Sequence, residues 1–244
     1  HARIPEQDFQ SFAFRQHPGA QVPLDARLHD EAGRPVELGQ ILGHKPSVLV
    51  LEYLKCRNLC GLVLRSATSA IGKAGLEPGR DLQFVAVSID PRDTPADAAA
   101  ARAMYGRQFP STPAAMRGLH FLTGSPSEVA RIASTVGFPY RYDRQSGQFA
   151  HPAGFVVLTP EGRISRYMLG LGQSPADVAR AVAEAADDWI KPPAYPLLCL
   201  CFGYDPDEGS VAALAWRLTR IIALIAMLCC AGLVFLLSRR RRRA

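Results

Sequence analysis

Short apolar runs alternate along the chain with longer stretches in which apolar residues recur every three or four positions. "PSVLVLEY" (residues 46–53) is rich in valine and leucine and predicts a buried strand. "CGLVLRSATSAIGKAGL" follows at helical spacing and runs out near Gly75. "LQFVAVSI" (82–89) predicts a second strand. "TPADAAAARAMYG" reads as a helix with Thr94 as N-cap, Pro95 in the first helical position and Gly106 as the stop. "SPSEVARIASTVG" repeats that grammar with Ser125 as N-cap, and "SPADVARAVAEAADDWI" repeats it with Ser174. Between those two helices, "AGFVVLTPEGRISRYML" predicts two strands around a turn at "TPEG".

The expected order is therefore strand, helix, strand, helix, helix, hairpin, helix. A crossover unit followed by a hairpin and a closing helix is the thioredoxin arrangement, here with extra helices inserted between its halves. The expected fold class is α/β, a mixed sheet with helices on both faces, over residues 23–190. Residues 1–22 are polar, carry the turn signal "HPGA" and read as a flexible N-terminal segment. Residues 191–213 are proline-rich and then turn-forming, and read as a linker.

Beyond the linker the pattern changes again. Residues 221–237, "IIALIAMLCCAGLVFLL", are seventeen positions without a charge. As a helix they cover roughly 25 Å. With "LAWRLTR" upstream, its arginines snorkelling outward and Trp216 at the interface, they predict one C-terminal transmembrane helix over residues 214–238. The tail at 239–244, "RRRRRA", places the C-terminus in the cytoplasm by the positive-inside rule, which leaves the folded domain in the periplasm. A chain opening on His1 fits removal of an export signal. The net charge of +6 falls to −1 once Arg217, Arg220 and the five tail arginines are set aside. Nothing in the charge of the domain points to nucleic acid.

Cys56 and Cys60 fall where the first strand meets the first helix, with Lys55 and Arg57 beside the first of them. Helix-start N–H groups and adjacent cations stabilise thiolates, so these are expected to be reactive cysteines. Four-residue spacing on a helix separates Cβ atoms by about 5–6 Å. A disulfide wants roughly 3.5–4.5 Å. A metal bridging both sulfurs tolerates the wider gap. The spacing leans towards a metal and leaves a redox disulfide open.

Three segments carry a family resemblance. "VLEYLKCRNLCG" resembles the CxxxC segment of the Sco/SenC family, whose members are membrane-anchored and thioredoxin-like. "VSIDPRDTPADAAAARAMY" (87–105) resembles that family's "DPxRDTP" stretch with one residue fewer, and "HPAGFVVLTPEGRI" (151–164) resembles its distal histidine with the strand and turn that follow. The resemblance implies a copper metallochaperone that binds Cu(I) and/or Cu(II) through Cys56, Cys60 and His151. It further implies a role in assembling the dinuclear copper centre of cytochrome c oxidase subunit II, with other copper proteins as further partners. Soft thiolates suit Cu(I), and imidazole suits both oxidation states. The chain departs from the family pattern at Arg57 and Gly61, where proline is usual after each cysteine, at Leu54, and at Pro152. Arg57 favours thiolate reactivity and opposes a bound cation. The competing expectation is an enzyme, a thiol–disulfide oxidoreductase using Cys56 and Cys60 as its redox pair on the oxidase subunit or other copper proteins. A peroxide-reducing or redox-sensing relative would explain the fold and not His151.

The remaining candidates carry less. Asp90, Arg92 and Asp93 sit at a strand end, where they could support the site or merely cap a turn. His17, His29, His44 and His120 have no partner at ligand spacing. Cys199 and Cys201 read as apolar packing near the membrane, with an auxiliary copper site or a loose redox pair as alternatives, and Cys229 and Cys230 as filler within the span.

Overall fold

A computed structural model of the chain describes residues 12–55, 60–110, 112–144 and 147–193, Cys60 by its backbone alone. The central strand is β3 (Ser47–Glu52), buried at every position because neighbours cover both its faces. Helix α2 (Cys60–Lys73) returns the chain to β4 (Gln83–Ser88), which pairs parallel with β3. Helix α3 (Pro95–Tyr105) leads on, through a short 3₁₀ turn at Gly106–Gln108 and helix α4 (Pro113–Arg117), to β5 (Leu119–Gly124), parallel to β4. Helix α5 (Pro126–Thr135) then carries the chain to the other side of β3. There β8 (Gly154–Leu158) pairs antiparallel with β3, and β9 (Ile164–Leu169) completes the hairpin. Helix α6 (Pro175–Ala186) closes the domain against α2 and the hairpin.

The sheet order is β2-β1-β5-β4-β3-β8-β9, with β1 (Arg27–His29) and β2 (Pro35–Glu37) added antiparallel beyond β5. A short helix, α1 (Leu38–Leu42), follows β2, and a separate two-stranded ribbon joins β6 (Arg141–Asp143) to β7 (Gln148–Ala150). This is the expected mixed α/β, thioredoxin-like layout. The strand β5, the β1–β2 edge and the β6–β7 ribbon were not in the predicted order.

The helix starts follow the local grammar. Thr94, Ser125 and Ser174 each accept a hydrogen bond from the backbone N–H three residues on, at Asp97, Glu128 and Asp177. A proline occupies the first turn each time, where its missing N–H costs nothing.

One expectation is corrected. Residues 12–22 do not hang loose: Phe14 and Val22 are buried, and Phe14 meets Phe138 and Tyr167 edge-on at 5.5 Å. The backbone there pairs with the domain through Arg15 N–H to the Gly137 carbonyl at 2.8 Å, and through Ile164 N–H to the Ala20 carbonyl at 3.0 Å. Apolar side chains spaced along an otherwise polar segment supply the reason, since each finds a place on the core. The domain thus includes residues ahead of the expected start at 23.

Among the described residues no helix is long and apolar enough to cross a membrane. The expected span at 214–238, the arginine tail, most of the linker and Cys199, Cys201, Cys229 and Cys230 lie outside the described residues.

Candidate metal centre

β3 ends at Glu52, and α2 opens at Cys60. The seven residues between them include Cys56, and Cys60 is the first residue of the helix. Cys56 lies outside the described residues, so the structure positions its flanks: Tyr53, Leu54 and Lys55 before it and the start of α2 after it.

The third expected ligand comes from the far side of the sheet. β8 runs antiparallel to β3, with Ser47 opposite Leu158 and Leu49 opposite Val156. The start of β8 therefore lies at the end of β3, and the approach to β8 delivers His151 beside Glu52. His151 is fully buried. Its ring stacks on Phe138 at 5.5 Å and meets the Tyr53 ring edge-on at 6.0 Å, which fixes its plane. Nδ1 lies 3.0 Å from the Pro152 carbonyl oxygen. A carbonyl only accepts, so this contact is a hydrogen bond when Nδ1 carries the proton, and a neutral ring then has its lone pair on Nε2. Nε2 stands 3.2 Å from Glu52 Oε1. The peptide bond before Pro152 is trans, as no cis bond occurs among the described residues.

Glu52 stands inside the apolar run 46–53 that predicts the strand. Its signal was there: one carboxylate closing a wholly buried strand needs a partner, because a lone buried charge is costly. Among the described residues no cluster of three His, Cys, Asp or Glu side chains is placed to hold a metal. Of the residues at this end of the sheet, the structure brings His151 and Glu52 together.

Asp93 fastens the cysteine segment to the sheet. Its Oδ2 accepts from the Leu54 N–H at 2.7 Å and from Ser88 Oγ at 2.7 Å. Burial pushes the Asp93 carboxyl up from its ordinary value, against the pull of those two donors. Lys55 Nζ pairs with Asp97 Oδ2 at 2.8 Å, and that bond together with Thr94 holds the Asp97 carboxyl down at about 2. Lys55 is thus committed to α3. Asp90 grips Arg92 through two parallel contacts, Nε to Oδ1 at 2.8 Å and Nη2 to Oδ2 at 2.7 Å. Burial opposes ionisation of Asp90, and Arg92 outweighs it, so the carboxyl sits below its ordinary value. The Arg92 guanidinium lies 4.8 Å from the centre of the Tyr142 ring. Asp90, Arg92 and Tyr142 border a cavity of about 340 Å³ at the end of β4, walled also by Ile89, Pro91, Tyr140 and Phe149.

The other histidines stand apart from this centre. His17 Nδ1 meets the Thr135 carbonyl at 3.1 Å. His120, on β5, is held down at about 4 by burial and by the nearby Arg102 charge.

A strand leading into a helix-start cysteine, with an antiparallel hairpin beside it that brings a buried histidine to the same end, is a thioredoxin-like arrangement. The sequence profile of the SCO1/SenC family matches residues 16–187, and the chain belongs to that family. A crystal structure of a protein from Aquifex aeolicus VF5 shares 27% identity, covers 70% of this chain and 95% of its own, and superposes with a TM-score of 0.61. A SCO1/SenC family lipoprotein from Bacillus anthracis covers 71% and 99% at 19% identity, with a TM-score of 0.55. ScoI from Arabidopsis thaliana, whose crystal structure has copper bound, covers 71% and 99% at 21% identity, with a TM-score of 0.53. No curated protein matches the chain in sequence.

Proposed function

We propose that this chain is a membrane-anchored copper metallochaperone in which Cys56, Cys60 and His151 hold the metal, serving assembly of the dinuclear copper centre of cytochrome c oxidase. Family membership supports copper handling, as Sco homologues are solved with copper bound. The observation that carries the reading to this chain is the setting of His151: buried, clamped between Phe138 and Tyr53, with Nδ1 on the Pro152 carbonyl and Nε2 turned to the end of the strand that runs into the cysteines. A histidine needed only for packing has no use for a fixed tautomer. A metal ligand does.

Copper is cargo in this reading. Two thiolates and one imidazole suit Cu(I), and a set short of full coordination lets a receiving site attack and take the ion. The apolar stretch at 214–238 would anchor the chain, with the domain on the periplasmic side and the arginine tail in the cytoplasm.

The competing reading is a thiol–disulfide oxidoreductase acting on the oxidase subunit or on other copper proteins. What favours it is the start of α2 at Cys60, since a helix N-terminus lowers a thiol's pKa, together with Arg57 in the sequence beside Cys56.

The deciding experiment is a Cu(I) titration of the reduced whole chain in detergent against a competing chelator, with His151→Ala alongside. One tightly bound copper, weakened at least tenfold in the variant (about 1.4 kcal/mol), is the expected result. Equal affinity in both proteins would remove the metal site and leave the oxidoreductase.

A further inference from the structure

The cavity at the end of β4 has no part in the metal-site reading. Its volume of about 340 Å³ stands at the small end of the range that ligand pockets occupy, about 300–1,000 Å³. Three aromatic rings form one continuous wall, with the Phe149 ring 5.1 Å from Tyr142 and 6.2 Å from Tyr140. That wall is braced from behind: Phe149 also packs on Tyr53 at 5.5 Å, and Tyr140 on Phe138 at 6.4 Å. Val129 of α5 adds an aliphatic surface. A site walled in this way is formed before its ligand arrives and suits a flat apolar body.

The polar groups at the cavity decide what that body must carry. Asp90 and Arg92 both line it. Asp90 stays ionised because Arg92 outweighs its burial. The pair therefore has no net charge and offers little to a charged ligand. Arg92 still has donors to give. A guanidinium carries five N–H groups. Among the described residues, Asp90 takes Nε–H and one from Nη2, and the Tyr142 hydroxyl takes one from Nη1 at 3.2 Å. One N–H remains on each Nη nitrogen, and the side chain is 58% exposed. Asp90 and the Tyr142 ring, 4.8 Å away, hold the guanidinium in place, so those donors are fixed beside the aromatic wall. Their complement is a neutral oxygen acceptor.

We propose that this cavity binds a small, uncharged aromatic compound bearing a carbonyl oxygen. Its ring lies against Tyr140, Tyr142 and Phe149, and its oxygen accepts from Arg92. The apolar body supplies the affinity, and the carbonyl sets the orientation and selects against plain hydrocarbons. The site stands whether or not the chain carries copper.

The probe is acetophenone, which does not alkylate thiols. Ethylbenzene serves as the same outline without the oxygen, and benzoate as the charged counterpart. The whole chain in detergent, with ¹³C-labelled tyrosine rings, is titrated with each compound and followed by NMR. Reading the Tyr140 and Tyr142 rings separates binding in the cavity from partition into the micelle. Acetophenone should move both rings along a saturating curve and show NOEs to them. It should bind about fivefold more tightly than ethylbenzene, the worth of one net hydrogen bond, and more tightly than benzoate. Arg92→Lys keeps the charge beside Asp90 and gives up the fork, so the preference for acetophenone over ethylbenzene should vanish in it while ethylbenzene binding stays. Ring signals that stay still, or drift without saturating, would overturn the site. Equal affinity for acetophenone and ethylbenzene in the unaltered chain would overturn the role of Arg92, and tighter binding of benzoate would overturn the uncharged ligand class. The comparison of the three compounds uses the unaltered chain, so it decides the matter even if Arg92→Lys fails to fold.

Discussion

The Leu54 N–H donates to Asp93 Oδ2 across 2.7 Å, and so ties the segment entering the cysteine pair to the loop that follows β4. The same oxygen accepts from Ser88 Oγ at the end of β4. One carboxylate thus fixes the height at which the chain leaves the sheet edge. Asp93→Ala leaves both donors without it and is expected to cost about 2–3 kcal/mol of stability, read from urea unfolding. Copper affinity should fall several-fold in the same protein by chelator competition. Asp93→Asn keeps an acceptor and sheds a charge that burial disfavours, so it should retain most of both. If alanine and asparagine behave alike, the bond does not position the segment.

Asp97 makes a pH-dependent contribution of known sign. Its folded value of about 2 lies below its ordinary 3.8, through Lys55 first and Thr94 second. Stabilisation is therefore complete above pH 3.8 and disappears as pH falls through about 2. Asp97 serves an N-cap and a largely exposed ion pair, so Asp97→Asn should cost only about 1 kcal/mol at neutral pH. Urea midpoints of the two proteins should converge between pH 4 and pH 2. A constant gap across that range would refute the assignment.

His120 works in a higher window. Burial and Arg102 hold its imidazole at about 4, below the ordinary 6.5, so the folded state resists protonation. The unfolded chain binds the proton first. Stability is full above pH 6.5 and drains away as pH falls towards about 4, by about 2–3 kcal/mol. His120→Gln should flatten that slope in a pH series of denaturant melts. An unchanged slope would place the effect on another group.

Gly137 tests the packing of the N-terminal segment. It has φ +61°, and a Cβ there would stand 1.7 Å from the Arg15 carbonyl oxygen. Gly137→Ala must push the segment off the core, and the combined strain and lost packing should exceed about 2 kcal/mol. Limited proteolysis ahead of Val22 should speed up in parallel. Wild-type protease resistance in the variant would show that this contact does not hold the segment down.

What the sequence disclosed follows from the range of the forces involved. The helices at Thr94, Ser125 and Ser174 were legible because capping is settled within four residues. β3 and β4 were legible as unbroken apolar runs, and the hairpin by its turn. β5, "LHFLTG", interrupts its apolar residues with His120 and Thr123, and it is a strand because β4 and β1 pair with its two edges. Such pairing leaves no local signature. The partner of Glu52 was hidden for the same reason: it arrives through the register between β3 and β8, which no short window contains. Asp93 could be singled out by its place at a strand end, but its grip on Leu54 could not.

The antiparallel seat of β8 on β3 also sets a timetable. The cysteines leave the ribosome early, and His151 only after the long excursion through α3, α4, β5 and α5. A half-made chain can offer the two cysteines but not His151. Cys56, Cys60 and His151 can meet only when the last hairpin docks, so a copper ion held by all three would certify that docking, and would clasp the central strand to a hairpin made long after it.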